Sequence, residues 1–176
     1  MSDTPTFASS ILTTEVVDDE APLELNDLSH LTKVVVKATP VRPSRLEPAF
    51  GSSAVVGDAL VCGSRPDEWL VLGPADAVAA VVDGAGGHCV DLTHGRVLIE
   101  VVGTVATSML EKVCGLDWTD DMMPDGAVTS ASVAKVSCDV IRCDNDGEPA
   151  YLIAADRSFG QYLYDALADA AAEFRR

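Results

Sequence analysis

Apolar residues alternate at period two along most of the chain, and three stretches switch to helical spacing. Residues 96–102 set Val97, Ile99 and Val101 against Leu98, Glu100 and Val102, the pattern of a half-buried strand. Gly103 ends it, Thr104 offers an N-cap hydroxyl, and Val105, Ala106, Met109, Leu110 and Val113 follow as a helix, with Gly115 as a left-handed stop. Residues 32–38 read as another strand, Lys33, Val35 and Lys37 alternating against Val34 and Val36. Residues 52–62 and 68–72 form a hairpin around Arg65-Pro66-Asp67, where Pro66 presets a turn dihedral. Pro74 opens a short helix over 75–82, closed by Gly84, Gly86 and Gly87. Strands follow at 127–134, 136–143 and 150–155, the last two joined by the turn Asn145-Asp146-Gly147. From Ser158 onward the best helix carries Phe159, Tyr162, Leu163, Ala166, Leu167, Ala170 and Phe174 on one stripe.

The two halves share an order of strand, connection, strand pair and helix. Asp27-Leu28-Ser29-His30 before the strand 32–38 is echoed by Asp91-Leu92-Thr93-His94 before the strand 96–102. The first half lacks the helix 104–114; the stretch TPVRPSRLEPAFG stands in its place, and Pro40, Pro43 and Pro48 forbid a regular helix there. The chain therefore reads as α+β, two duplicated ferredoxin-like βαββαβ-type units with the first shortened by one helix. Residues 1–24 are the exception. Pro5, Pro22 and the acidic cluster Glu15, Asp18, Asp19 and Glu20 read as a disordered arm, or as one that orders on a partner subunit. Residues 25–176 form a single domain in this reading.

Composition narrows the partners more than the chemistry. A formal charge of −16 argues against nucleic acid and anionic membrane, since both reward clustered Lys and Arg. A hydrophobic content of 48% excludes global disorder, and the lack of a span-length apolar run or a basic-then-apolar leader sets cytoplasmic localisation as the expectation. Cys62, Cys89, Cys114, Cys138 and Cys143 are odd in number and mostly embedded in apolar stretches, as reduced, buried thiols are. Cys138 and Cys143, the only close pair, fall on opposite faces of a strand, against a shared zinc ion.

Few residues invite chemistry. His30 and His94 recur in equivalent turns, which points to a shared structural job over a catalytic base. Asp27 and Asp91 precede Ser/Thr positions and read as side-chain-to-backbone turn formers. Asp120, Asp121 and Asp125 could hold a cation, but the spacing of a calcium loop is missing and a solvated loop is preferred. The GAGG run at 84–87 follows a helix and lacks the Lys-Ser/Thr of a phosphate loop. Asp139 lies among apolar neighbours; buried, it would act as an acid or base, whereas the period-two pattern places it outward on an edge strand, the preferred reading.

The blocks GSRPDEWLVLGP, VDLTHGRVLIEVVGTVATSMLEKVCGLDW, MPDGAVTSASVAKV and PAYLIAADRSFGQYLYDALADAAAEF, in that order over about residues 25–174, resemble the gamma subunit of heterotetrameric sarcosine oxidase. That family sits within the wider aminomethyltransferase-like, folate-binding fold, so the resemblance implies the fold of its N-terminal domain. It implies a non-catalytic accessory subunit with no catalytic, cofactor or metal site of its own. The larger partner subunits are then expected to carry FAD, FMN and NAD and to bind tetrahydrofolate, demethylating sarcosine oxidatively to glycine and passing on one-carbon units. The acidic pair of the catalytic aminomethyltransferases appears here as Cys138-Asp139, with one carboxylate gone. The alternative is a stand-alone folate-binding one-carbon (aminomethyl) transferase or regulator, in which Asp139 would be the residue to watch.

Overall fold

The computed structural model describes residues 22–145 and 147–174. Ten strands and three helices follow in the order β1 (Glu24–Asp27), β2 (Thr32–Lys37), β3 (Ser53–Val56), β4 (Ala59–Arg65), β5 (Glu68–Gly73), α1 (Ala75–Ala85), β6 (His88–Asp91), β7 (Arg96–Val102), α2 (Ala106–Leu110), β8 (Val128–Val133), β9 (Val136–Arg142), β10 (Ala150–Asp156) and α3 (Gly160–Ala171). They build two five-stranded sheets, β1-β7-β10-β9-β8 and β3-β4-β5-β2-β6, antiparallel throughout. The architecture is mixed α+β with few helices.

Alternation within each strand sorts side chains into three apolar layers. Val97, Ile99 and Val101 of β7 join Tyr151, Ile153 and Ala155 of β10 under α2 and α3. Val34 and Val36 of β2 with Val61 and Val71 pack beneath α1 through Val78 and Ala85. Between the sheets lie Leu98, Ile141, Leu152 and Ala154 from one and Cys62, Leu70 and Leu72 from the other. The order is therefore helix, sheet, sheet, helices, and both faces of each sheet's central strands are covered.

Turn chemistry pins the registers. At Pro66-Asp67, proline takes the first central position and Asp67 the positive φ of 59°. Residues 52–62, expected as one strand, instead fold back at Gly57-Asp58, where Gly57 has φ +60°. Ala134 (φ 47°) and Lys135 (φ 69°) make the tight β8–β9 turn. The hairpin expected at 145–147 is closed by the bridge Asn145↔Glu148; Asp146 itself lies outside the described residues.

The helices depart furthest from expectation. The stretch 104–114 forms only the five-residue α2 and then turns, and Val105, at its N-cap position, makes no side-chain cap bond. Gly115 has no left-handed φ; the strained glycine is Gly103, at φ +133°, where a Cβ would stand 2.3 Å from the Pro22 carbonyl oxygen. At the C-terminus, Asp156 accepts from the Ser158 N–H and starts a 3-10 turn before α3. The buried stripe of α3 is then Leu163, Tyr164, Leu167, Ala170 and Ala171, while Phe159 and Tyr162 face outward. The glycine-rich run finds a packing role: Gly86 lets the proline-rich crossing approach, with a Cβ there only 2.5 Å from the Pro43 carbonyl oxygen. Arg45 donates its N–H to Ala85 O at 2.7 Å beside it.

The acidic arm expected at residues 1–24 lies, up to residue 21, outside the described residues. Among the described residues, no helix is long and apolar enough to cross a membrane.

Candidate functional site

Two turns of matching sequence stand opposite one another, and each clamps the strand that follows the other. Asp27 Oδ1 accepts from Ser29 N at 2.9 Å, and Asp91 Oδ1 from Thr93 N at 2.8 Å, as their spacing predicts. Ser29 Oγ then accepts the N–H of Leu98, while Thr93 Oγ1 accepts the N–H of Lys33. The N–H of Leu28 reaches Leu98 O, and that of Leu92 reaches Lys33 O. His30 and His94 both stand exposed. The Thr93 bonds hold the Asp91 carboxyl below the usual carboxylate range.

Lys33 is the residue sequence reading passed over. Its side chain is fully buried, and its ammonium donates to Ser29 O at 2.9 Å and Leu31 O at 2.6 Å, within the first turn. Burial pulls its pKa down to about 8, against the opposing pull of Asp27 and Asp91. Period-two alternation placed it opposite Val34 but said nothing of what covers that face, which is the second sheet.

Asp139 is where the structure overturns the preferred sequence reading. β9 is an inner strand, between β10 and β8, and Asp139 is 2% exposed. Its Oδ2 accepts from Arg96 Nη1 at 2.7 Å; its Oδ1 accepts from Ser130 Oγ at 2.9 Å and lies 3.5 Å from Arg65 Nη2. Arg96 also donates to Ala154 O, and Arg65 to Glu68 Oε1 at 2.7 Å. The buried carboxylate is thus a tie between the sheets, held by an arginine from each.

The ties lie against a cavity of about 620 Å³ at one end of the inter-sheet space, lined by Val35, Val90 and Leu92 together with Lys37, Glu68 and Arg96. Its charged groups are mutually engaged: Glu68 binds Arg65 and Lys37, and Arg96 binds Asp139.

The acidic loop has a different organiser from the cation considered above. Arg142, 7% exposed, forms a two-pronged pair with Asp144 at 2.9 Å and donates to Asp120 Oδ1 at 2.6 Å and Met123 O at 2.7 Å. Its pKa is raised, chiefly by the Asp144 bond. Asp125 instead accepts the Asp144 N–H, so a guanidinium and a main-chain amide take up two of these carboxylates. Among the described residues, no group of three His, Cys, Asp or Glu side chains could hold a metal ion.

The thiols follow their faces. Cys138 packs under α2 and α3, while Cys143 borders the layer between the sheets. Burial pushes Cys138 up to about 11 and Cys143 to about 12, and Cys62 higher still. Cys89 on β6 is exposed and Cys143 half-buried, whereas Cys62, Cys114 and Cys138 are buried as their apolar stretches suggest.

Comparison with known proteins agrees with this geometry. A solved chain of heterotetrameric sarcosine oxidase from Corynebacterium sp. U-96, in complex with pyrrole 2-carboxylate, superposes with a TM-score of 0.73 at 20% identity, covering 91% of this chain and 89% of that one. The sarcosine oxidase subunit gamma of Corynebacterium sp. (strain P-1) is 27% identical over 169 residues, covering 86% of this chain and 81% of the relative. The model of the sarcosine oxidase, gamma subunit family matches residues 50–173, the greater part of the chain, from the approach to β3 through α3. The chain belongs to the sarcosine oxidase gamma subunit family.

Proposed function

We propose that this chain is a non-catalytic accessory subunit of a sarcosine oxidase-type complex, one that oxidatively demethylates sarcosine to glycine and feeds one-carbon units to tetrahydrofolate. Family membership over residues 50–173 is the observation that carries the reading. In it, the larger partner subunits hold FAD, FMN and NAD and bind tetrahydrofolate, and this chain supplies a rigid four-layer body for them to pack on. The engagement of Asp139 with Arg96 supports a structural role for the carboxylate that a folate-dependent transferase would need free.

The body itself reads as a duplicated ferredoxin-like unit. The reciprocal clamps of the two Asp-Leu-Ser/Thr-His turns support this, as does the matching order β1-β7-β10-β9-β8 beside β6-β2-β5-β4-β3. In this reading β1 and β6 are equivalent strands, each paired in the sheet of the other unit. The proline-rich crossing takes the place of α2.

Co-expression with the larger subunits tests the function. The chain should co-elute with them on gel filtration, and sarcosine-dependent flavin reduction should persist in the complex while the isolated chain shows none. A monomer indifferent to the larger subunits refutes the proposal.

A further inference from the structure

We propose that the chain meets a larger subunit through an apolar patch at the free edge of β3, and that the segment it receives there is apolar at its centre and flanked by lysine or arginine. This rests on the accessory-subunit reading above and names the surface which that reading leaves open.

Half of the large apolar side chains exposed among the described residues gather at this edge: Phe50 at 64%, Val55 at 74%, Val56 at 47% and Met122 at 66%. The chain joins them into one neighbourhood. Ser53 donates its N–H to Gly126 O, and Val128 donates its N–H to Gly51 O, so the start of β3 is stitched to the start of β8. Met122, Gly51 and Ser53 line a cavity of about 370 Å³ at that seam. Phe50 directly precedes Gly51, and Val55 lies two residues beyond Ser53 on the same strand face.

The four sheet edges are not alike. β1 carries Glu24 and Asp27, β6 carries His88 and Asp91, and β8 turns Ser130 and Ser132 outward. β3 and β8 carry no charge, and of these two only β3 shows valines to solvent. Soluble proteins guard such edges with charge or proline, so an unguarded apolar one marks a surface that is covered in the working assembly.

Charge selects the occupant. Asp58 in the β3–β4 turn and Asp120, Asp121 and Asp125 in the acidic loop rim the patch, and all four are exposed. A second copy would bring a like-charged rim and another −16 against the first, which opposes self-pairing. A segment with an apolar centre and basic flanks matches both parts of the surface.

The test uses the full chain with the co-expressed larger subunits and compares wild type with V55K, M122K and, at the β6 edge, V90K. Affinity should fall at least about tenfold for V55K and M122K and stay within about twofold for V90K, with unchanged Tm for each isolated variant. Asp121→Lys should slow association and flatten its salt dependence. Wild-type affinity in both V55K and M122K, with the wild-type complex intact, overturns the patch. So does a wild-type homodimer that V55K dissolves, since the occupant is then a second copy. Failure of the wild-type chain to bind the larger subunits refutes the accessory reading itself, and the patch with it.

Discussion

Asp139 is the most informative single perturbation, because its buried carboxylate pairs with Arg96 across its own sheet and faces Arg65 of the other. Replacing it with alanine leaves Arg96, whose side chain is 16% exposed, with only Ala154 O as an acceptor, and leaves Ser130 Oγ without its acceptor. Stranding one member of a buried pair costs on the order of 3–5 kcal/mol; the partial exposure of Arg96 places the expected loss at the lower end, about 3 kcal/mol. For a chain of this size that lowers Tm by about 6–12 °C. The contact to Arg65 adds little, because that side chain is 53% exposed and screened by solvent. Urea unfolding of wild type, Asp139→Leu, Arg96→Met and the double variant isolates the pair. The double variant should recover most of the loss, with a coupling of at least about 2 kcal/mol, because two apolar side chains can fill the inter-sheet space. A loss below about 0.5 kcal/mol for Asp139→Ala refutes the tie and shows that water solvates the pair.

Other expectations follow from the same geometry. Burial lowers the Lys33 pKa from its ordinary 10.5 to about 8 in the folded chain, so above pH 8 the unfolded chain holds a proton that the folded chain has released. Stability should therefore rise relative to Lys33→Met as pH climbs from 8 to 10.5, by a total on the order of 3 kcal/mol, read by urea unfolding; parallel pH profiles for the two proteins contradict it. Gly103→Ala should cost at least about 2 kcal/mol in chemical denaturation, because the new Cβ needs a strained φ and meets Pro22 O. In native protein a thiol reagent should label Cys89 and spare Cys62, Cys114 and Cys138 until denaturant is added, as mass spectrometry of the labelled peptides would show. Arg142→Met should free the loop around residues 119–126 and raise its cleavage by a nonspecific protease, while intact α3 resists.

Strand identity was largely legible in the residues themselves. Alternation located β2, β5, β7, β9 and β10, the Pro66-Asp67 turn was read at its true position, and the Asp27 and Asp91 turns form the bonds their spacing predicts. The β3–β4 fold-back escaped because Gly57-Asp58 sits within a continuous run of small and apolar residues. β1 and β6 escaped as well: each is four residues long, too short for a period to register. The apolar spacing over 104–114 suits a full helix, yet it is met by one helical turn and a series of tight turns.

Local chemistry in the sequence thus determined the strand pattern, the proline-interrupted crossing, the acidic surface and the four-block family likeness. What it left open was the surroundings of each polar position. A period of two assigns Asp139 and Lys33 to a face, but whether that face meets water or a second sheet depends on contacts between residues distant in sequence. Tertiary packing decided it: β7 and β9 flank β10 in one sheet, so Arg96, forty-three residues before Asp139, reaches the carboxylate, while the second sheet covers Lys33 and the nearby carbonyl groups of Ser29 and Leu31 receive its ammonium. Desolvation raises the cost of an unpaired charge, so only tertiary packing could say which of these groups are structural ties and which meet solvent.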